Sequence, residues 1–240
     1  MKTKRSIFIF LFATLSWFSF SQNVKTDMEK LNKKYLGTQR LSYTANYKLF
    51  AGNNTVPVET YFTSHKKSGD NYFTKNEDEE YMVNKKYIVF VDHESKEVLI
   101  QENTDKKNSE VQKMIEDTPN IMANLDTLMS FYKSIESLAS SSPDSRGYRF
   151  FMKAGQYSKV DMVIDTKQWL LRELVLYFSQ PEEINGKAEN VRIKITFENY
   201  STSIVNESDF SETKYVSLNG RDFKVKPGYS KYTLYDQTSH

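Results

Sequence analysis

The stretch LSYTANYKL, residues 41–49, changes character at every position. Its odd-numbered residues are Leu, Tyr, Ala, Tyr and Leu, and its even-numbered residues are Ser, Thr, Asn and Lys. Because successive side chains of a β-strand point to opposite faces, this alternation predicts a strand with one apolar side and one wet side. The turn residues GNN at 52–54 follow, and residues 56–62 predict a returning strand with Pro57 near its start. An antiparallel sheet therefore begins here.

Similar alternating patterns occur on both sides of a central segment in which the spacing of apolar residues changes from that of a strand to that of a helix. Polar turns separate short apolar stretches, which is typical of an antiparallel meander. Two of these stretches, residues 87–91 and 169–178, are apolar on both faces and need cover on both sides. The predicted strands after residue 62 lie at residues 71–75, 80–83, 87–91, 98–101, 159–164, 169–178 and 191–198.

Helical spacing appears in two places. Residues 24–35 predict a short amphipathic helix, with Gly37 ending it in a left-handed conformation. After a brief helix from Ser109, Thr118 and Pro119 can begin another, which we expect to cover the sheet. Its apolar stripe consists of Ile121, Leu125, Leu128, Met129, Tyr132, Ile135 and Leu138.

The first 21 residues, MKTKRSIFIFLFATLSWFSFS, combine a basic start with an uncharged apolar run and small residues at Ser19 and Ser21. This pattern predicts a secretory signal peptide cleaved after Ser21, and hence a periplasmic protein; an uncleaved anchor helix is the alternative. Lipid anchoring is not expected, because the sequence has no cysteine. Residues 22–240 are expected to form a single domain, and we expect a monomer.

Charge and motif content exclude several functions. The chain has 33 basic and 31 acidic residues, and three basic ones precede residue 21, so the mature chain carries 30 − 31, or −1. A near-neutral chain gives no electrostatic reason to expect nucleic acid as a partner. The pair Lys66 and Lys67 and the run at residues 77–80 are interpreted as solvated charges, with weak calcium binding as the alternative for the acidic run.

Catalytic chemistry is not indicated by the sequence. The histidines His65, His93 and His240 lack neighbours at metal-ligand spacing, and there is no Gly-rich phosphate loop. A triad of His93 with a serine is an alternative, but no G-x-S-x-G elbow accompanies it. The sequence therefore predicts a protein that is not an enzyme and uses no cofactor.

Four stretches carry a resemblance to a known family: DMEKLNKKYLGTQRLSYTANYKLF, VNKKYIVFVDHESKEVLI, the pair VDMVIDTKQWLLRELVLYF and VRIKITFENY, and NESDFSETKYV. Their spacing resembles the LolA/LolB-like family of periplasmic lipoprotein carriers and outer-membrane lipoprotein-sorting proteins. The resemblance implies an α+β fold, a curved antiparallel unclosed β-barrel (half-barrel) with helices covering its concave face. The family's carriers use an arginine to hold the cavity closed; the basic residues in the corresponding early region here are Lys66 and Lys67.

Such a half-barrel has a concave face too wide for its own side chains to fill, so an apolar cavity is expected there. The leading hypothesis is a non-enzymatic carrier or chaperone that binds the acyl chains of a lipoprotein or lipid. The alternative is an envelope module that binds another protein without a lipid ligand. The candidate cavity residues, or their opposite-face neighbours on the strands, are Tyr43, Tyr47, Tyr87, Val89, Leu125, Leu128, Met129, Tyr132, Leu174, Leu176, Ile193 and Ile195.

Overall fold

The computed structural model describes residues 24–103, 131–139, 142–203, 205–220 and 222–238. Residues 24–37 form a helix, α1. The strands are β1 (Arg40–Ala51), β2 (Glu59–Ser68), β3 (Asn71–Lys75), β4 (Glu79–Val83), β5 (Tyr87–Asp92), β6 (Glu97–Glu102), β7 (Tyr132–Leu138), β8 (Ser145–Met152), β9 (Tyr157–Asp165), β10 (Leu170–Phe178), β11 (Glu182–Ile184), β12 (Lys187–Glu189), β13 (Val191–Ser201), β14 (Val216–Asn219), β15 (Asp222–Val225) and β16 (Thr233–Gln237). Within these ranges, no helix is long and apolar enough to cross a membrane.

Twelve strands form one curved sheet in the order β16-β6-β5-β4-β3-β2-β1-β13-β10-β9-β8-β7. In the described residues the two outer strands, β16 and β7, do not pair with each other, so the sheet is not closed. The prediction that the strands of both halves of the chain share one curved antiparallel sheet is confirmed. The exception is β16, which was not predicted and pairs in parallel with β6.

The alternating side chains of the central strand β1 define the two faces of the sheet. Ala45 is fully buried on the face against which α1 packs, and we call this the helix face. The face that carries Asn46 and Lys48 is the opposite face. Residues that pair across neighbouring strands lie on the same face. Phe197 on β13 and Thr63 on β2 both pair with Ala45, so they share the helix face.

Helix α1 forms as its apolar spacing predicts, because Val24, Met28 and Leu31 are all buried against the sheet. The expectation for its end was wrong. Gly37 is still helical and has no positive φ. Thr38 ends the helix instead, since both its backbone N–H and its hydroxyl donate to the carbonyl of Lys34, at 3.1 and 2.6 Å.

The helix predicted over residues 121–138 was wrong for its last part, because Tyr132–Leu138 is the edge strand β7, paired with β8. A register shift between Tyr132 and Ser134 leaves Lys133 as an extra residue. Tyr132 and Ile135 therefore share the helix face although they are three residues apart, which is also the spacing of a helix. The rest of the predicted helical region, residues 109–130, lies outside the described residues.

Two apolar cores lie on different faces of the sheet. The helix-face core lies between α1 and the strands from β1 to β7 by way of β13, whereas the opposite-face core lies between β3–β6 and the C-terminal segment from Val205 to Leu234. Strand β5, predicted to need cover on both sides, gives Val89 and Val91 to the opposite-face core. Ile88 and Phe90 point to the helix face.

The expectation that Glu80 is a solvated charge was wrong, since its side chain is only 4% exposed. It accepts hydrogen bonds from Lys75, Lys214 and Tyr215, which fasten the C-terminal segment to β4. Burial opposes its ionisation, but these hydrogen bonds outweigh burial and lower the pKa of Glu80 to about 2. Lys66 was also misassigned, because it lies on β2 and pairs with Asp209 at 2.7 Å.

Candidate functional site

The helix face is closed at the end where α1 lies. Asp27 of α1 is 1% exposed and accepts two hydrogen bonds from the guanidinium of Arg146, at 2.9 and 2.7 Å. The Tyr148 hydroxyl donates to the same carboxylate at 2.5 Å. Burial and then the neighbouring Asp27 raise the pKa of Tyr148, so the phenol stays protonated as a donor. These contacts attach α1 to β8.

Aromatic contacts complete this end of the face. The hydroxyls of Tyr35 and Tyr200 lie 2.7 Å apart, and the backbone N–H of Leu171 donates to the Tyr35 hydroxyl at 3.3 Å. Asn199 adopts a φ of +56°, next to a register shift between β1 and β13. This bulge turns Tyr200 to the side of Phe197, which places it beneath the helix. We call this packed region the helix end.

The other end of the same face has apolar side chains that are only half-buried. We call it the far end. The phenol of Tyr61 is the most open of them, with 43% of the residue exposed. The register shift between Tyr177 and Phe178 leaves Ser158 unpaired and turns Tyr157 towards the helix face. The far end consists of Tyr47, Leu49, Tyr61, Tyr157, Val160, Leu176, Phe178 and Ile193.

Two aromatic rings stack on each other at the far end. Tyr47 and Tyr61 stack with ring centroids 4.6 Å apart and an angle of 5° between planes. Burial raises the pKa of Tyr61, followed by the neighbouring Tyr47, Glu59 and Tyr157. Tyr157 lies on β9, and three strands separate β9 from β2. Tyr157 nevertheless contributes to raising the pKa of Tyr61, which agrees with curvature of the sheet towards the helix face.

His65 lies on the helix face near the middle of the sheet. Its Nε2 is 2.6 Å from the hydroxyl oxygen of Thr63, and its Nδ1 is 3.1 Å from that of Thr74. The ring stacks on Tyr43 with centroids 4.7 Å apart. Burial lowers the pKa of His65 to about 4, so the imidazole is neutral at neutral pH. Its two partners are uncharged hydroxyls, which suits a structural role.

His93, the histidine of the alternative triad, has Tyr232 and Glu80 as its hydrogen-bond partners in the described residues. Its Nδ1 is 2.8 Å from the Tyr232 hydroxyl, and its Nε2 is 3.4 Å from Glu80. Both partners belong to the attachment of the C-terminal segment. The described ranges also contain no group of three His, Asp or Glu side chains placed to hold a metal ion.

Seven of the predicted cavity residues meet on the helix face: Tyr43, Tyr47, Tyr132, Leu174, Leu176, Ile193 and Ile195. The two others on described strands do not join them. Val89 and Tyr87 lie on the opposite face, Val89 within the core beneath the C-terminal segment and Tyr87 packed against it. The reason is the pleat of β5, which turns Ile88 and Phe90 to the helix face instead. Leu125, Leu128 and Met129 lie outside the described residues.

Sequence reasoning missed Tyr61, Tyr157 and Phe178. Tyr61 was within reach, because pairing β2 with β1 across the turn at residues 52–54 places it beside Tyr47. Tyr157 was not, since strict alternation along β9 puts it on the opposite face and only the bulge at Ser158 reverses this.

A separate cavity of about 750 Å³ lies beyond the helix end. Its lining is polar and comprises Thr38, Gln39, Arg40, Ser68, Gly69, Asp70, Asn71, Lys85 and Thr202. An acyl chain gains nothing from such a lining, because burying apolar surface requires apolar neighbours. The far end of the helix face is therefore the better candidate for an apolar ligand.

No family model and no curated protein matches the sequence. Solved structures do match. A LolA superfamily protein from Nitrosomonas europaea shares 9% identity and a TM-score of 0.34, over 79% of this chain and 98% of that chain. An uncharacterized conserved protein from Thermus thermophilus shares 7% identity and a TM-score of 0.46, over 90% and 99%.

A further match is the MucA/MucB complex of Pseudomonas aeruginosa, at 9% identity and a TM-score of 0.40, over 85% of this chain and 63% of that chain. The likeness is one of fold. A LolA superfamily protein is among the matches. At TM-scores below 0.5, no residue, cargo or partner is carried over from these proteins.

Proposed function

We propose that this chain is an exported, non-enzymatic carrier or chaperone that shields acyl chains of a lipoprotein or lipid at the far end of its helix face. One observation carries the proposal. The same face is buried beneath α1 at Ala45, Ile164 and Leu171, yet it is half-buried and apolar at Leu176, Ile193 and Tyr47. A ligand that covers these side chains would remove apolar surface from water, as α1 does at the helix end.

The energy available is sufficient for useful affinity. Each buried methylene contributes roughly 0.8 kcal/mol, so about ten methylenes would gain roughly 8 kcal/mol before the cost of association. No ion pair is needed to hold such a ligand.

The direct test is binding of a fluorescent acyl ester to the purified mature chain. Leu176→Asn introduces a polar group on the helix face and should weaken binding at least tenfold. The control is Val175→Asn, because Val175 is the neighbour on the same strand and points to the opposite face. Equal loss in both variants would show that the probe does not bind at the far end.

Export rests on residues 1–21, which lie outside the described residues. We propose that they are removed after Ser21 and that residues 22–240 act in the periplasm as one domain. Intact mass of the exported protein tests this directly. A mass that includes residues 1–21 would contradict the proposal.

Protein binding is the second candidate, and exposed side chains at the tip of the β1–β2 hairpin favour it. Val56 is 73% exposed, and Val58 is 44% exposed. Exposed apolar residues that cluster in this way are typical of protein or membrane contacts. If the wild-type chain binds no acyl probe and carries no lipid in organic extracts, an envelope interaction module becomes the better account.

A further inference from the structure

On the described strands β1–β6, β8–β10 and β13, the charged side chains at the far end of the helix face are acidic. On the helix face of β1–β6, β8–β10 and β13, the cations are Lys67 and Arg146, and both lie at the helix end. Each is engaged there, since Lys67 donates to the Tyr35 carbonyl at 3.2 Å and Arg146 pairs with Asp27. No cation of these described strands faces the far end.

Carboxylates lie on this part of the helix face. Glu59 pairs with Leu49 across β1 and β2, so its side chain lies on the helix face beside Tyr61. Glu79 pairs with Asp92, and Asp92 with Glu97, on the strands that continue this face.

The polar groups within the far end are neutral donors. The phenols of Tyr61 and Tyr157 both face the concave surface, and burial raises the pKa of each, so both remain protonated. A phenol O–H donates readily to the carbonyl oxygen of an ester or amide. A free carboxylate would also accept such a hydrogen bond, but it would carry its charge next to Glu59, and no cation on the helix face of these described strands lies beside it.

We propose that the far end selects acyl chains whose head group is an uncharged ester or amide over the same chain ending in a free carboxylate, with Glu59 as the residue that rejects the anion. This inference rests on the proposed function and adds its substrate class. Tyr61 and Tyr157 orient the carbonyl, while the apolar residues hold the chain.

The test is competition against a fluorescent acyl ester with methyl palmitate and palmitate at neutral pH and low salt. The ester should compete about fivefold better or more, the effect of one like charge at close range in water. Raising the salt to about 1 M should reduce this preference, because exposed charges are then screened within about 3 Å. Glu59→Gln should lower the preference, and Glu59→Lys should reverse it.

The matched control is Glu198→Gln, because Glu198 is an exposed glutamate of β13 whose side chain meets Asn46 on the opposite face. It should leave the ratio unchanged. If ester and acid compete equally in the wild type, the proposed selectivity is wrong, although acyl binding itself stands. The same holds if Glu59→Gln and Glu198→Gln change the ratio of ester to acid binding by the same factor. If the wild type binds neither the probe nor the competitors, the proposed function fails and the selectivity fails with it.

Discussion

The two ends of the helix face are built from the same strands, yet they differ in what covers them. Leu171 and Leu176 both lie on β10 and both face the concave side. Leu171 is 4% exposed beneath α1, whereas Leu176 is half-buried. Strand sequence therefore does not decide where the core closes; the position of the covering helix does. Within the described residues α1 covers only one end of this long curved sheet, and the apolar side chains at the other end are less completely covered.

The opposite face shows the same arrangement in a second form. There the polar strands around β13 face water, and the C-terminal segment covers β3–β6 and reaches β2 through Lys66 and Asp209. Each face is thus closed over a part of the sheet, and the far end of the helix face is the apolar part with the least complete cover in the described residues.

The largest expected effect on stability is at Leu171, and Leu176 provides the comparison. Leu171→Ala should lower the free energy of unfolding by about 2–5 kcal/mol, the usual cost of emptying a packed core site. Leu176→Ala should cost about 1 kcal/mol, because its methyl groups already contact water. Urea denaturation of both variants measures the difference. Equal losses would mean that the far end is an ordinary core, and the contrast between the ends would be lost.

Docking of α1 should depend on one buried carboxylate. Asp27→Asn removes the charge that holds Arg146 and Tyr148, and we expect roughly 2–3 kcal/mol of lost stability. Glu173→Gln is the comparison, since the ion pair of Glu173 with Lys194 is on the opposite face and partly exposed, with side-chain exposures of 30% and 40%. It should cost less than about 0.5 kcal/mol. A small effect of Asp27→Asn would show that apolar packing alone holds the helix.

Acid should weaken the middle of the helix face before it affects the carboxylates. His65 has a folded pKa of about 4, below the unfolded value of roughly 6.5, so protonation favours the unfolded chain. Stability from this group is complete above pH 6.5 and declines as the pH falls towards 4. Between pH 7 and pH 5 we expect a loss of about 2 kcal/mol. His65→Asn should lack this slope, and an unchanged slope in that variant would assign it to another group.

The smallest expected effect on folding is at the aromatic stack of the far end. Tyr61→Leu removes the ring that lies on Tyr47 and should cost only about 0.5–1 kcal/mol. The same change should weaken the binding of the acyl ester several-fold, since it removes a donor and a ring from the binding surface. A loss of stability without a loss of binding would show that Tyr61 is a structural residue and not part of the binding site.

Much of the sheet could be predicted from the sequence because its strands obey a local rule. The stretch at residues 71–75 coincides with β3, and the alternation around Ala45 gave the correct buried face. The errors arose where pairing overrides local pattern. The bulge at Lys133 imitates helical spacing, and the bulge at Ser158 reverses a face. Glu80 appeared solvated because its partner Lys214 is distant in the sequence. Signals of this kind exist only in the folded structure.

The connection between β1 and β13 sets the order in which the molecule can fold. Tyr47 pairs with Ile195, so the central pair of the sheet closes a loop of 195 − 47, or 148, residues. Thr233 pairs with Glu97, a second closure over 233 − 97, or 136, residues. Contacts this distant make folding slow, since the entropy of loop closure is lost before the pairing stabilises anything. A chain still being synthesised can pair β1 with β2, but the other edge of β1 has no strand to pair with until β13 emerges.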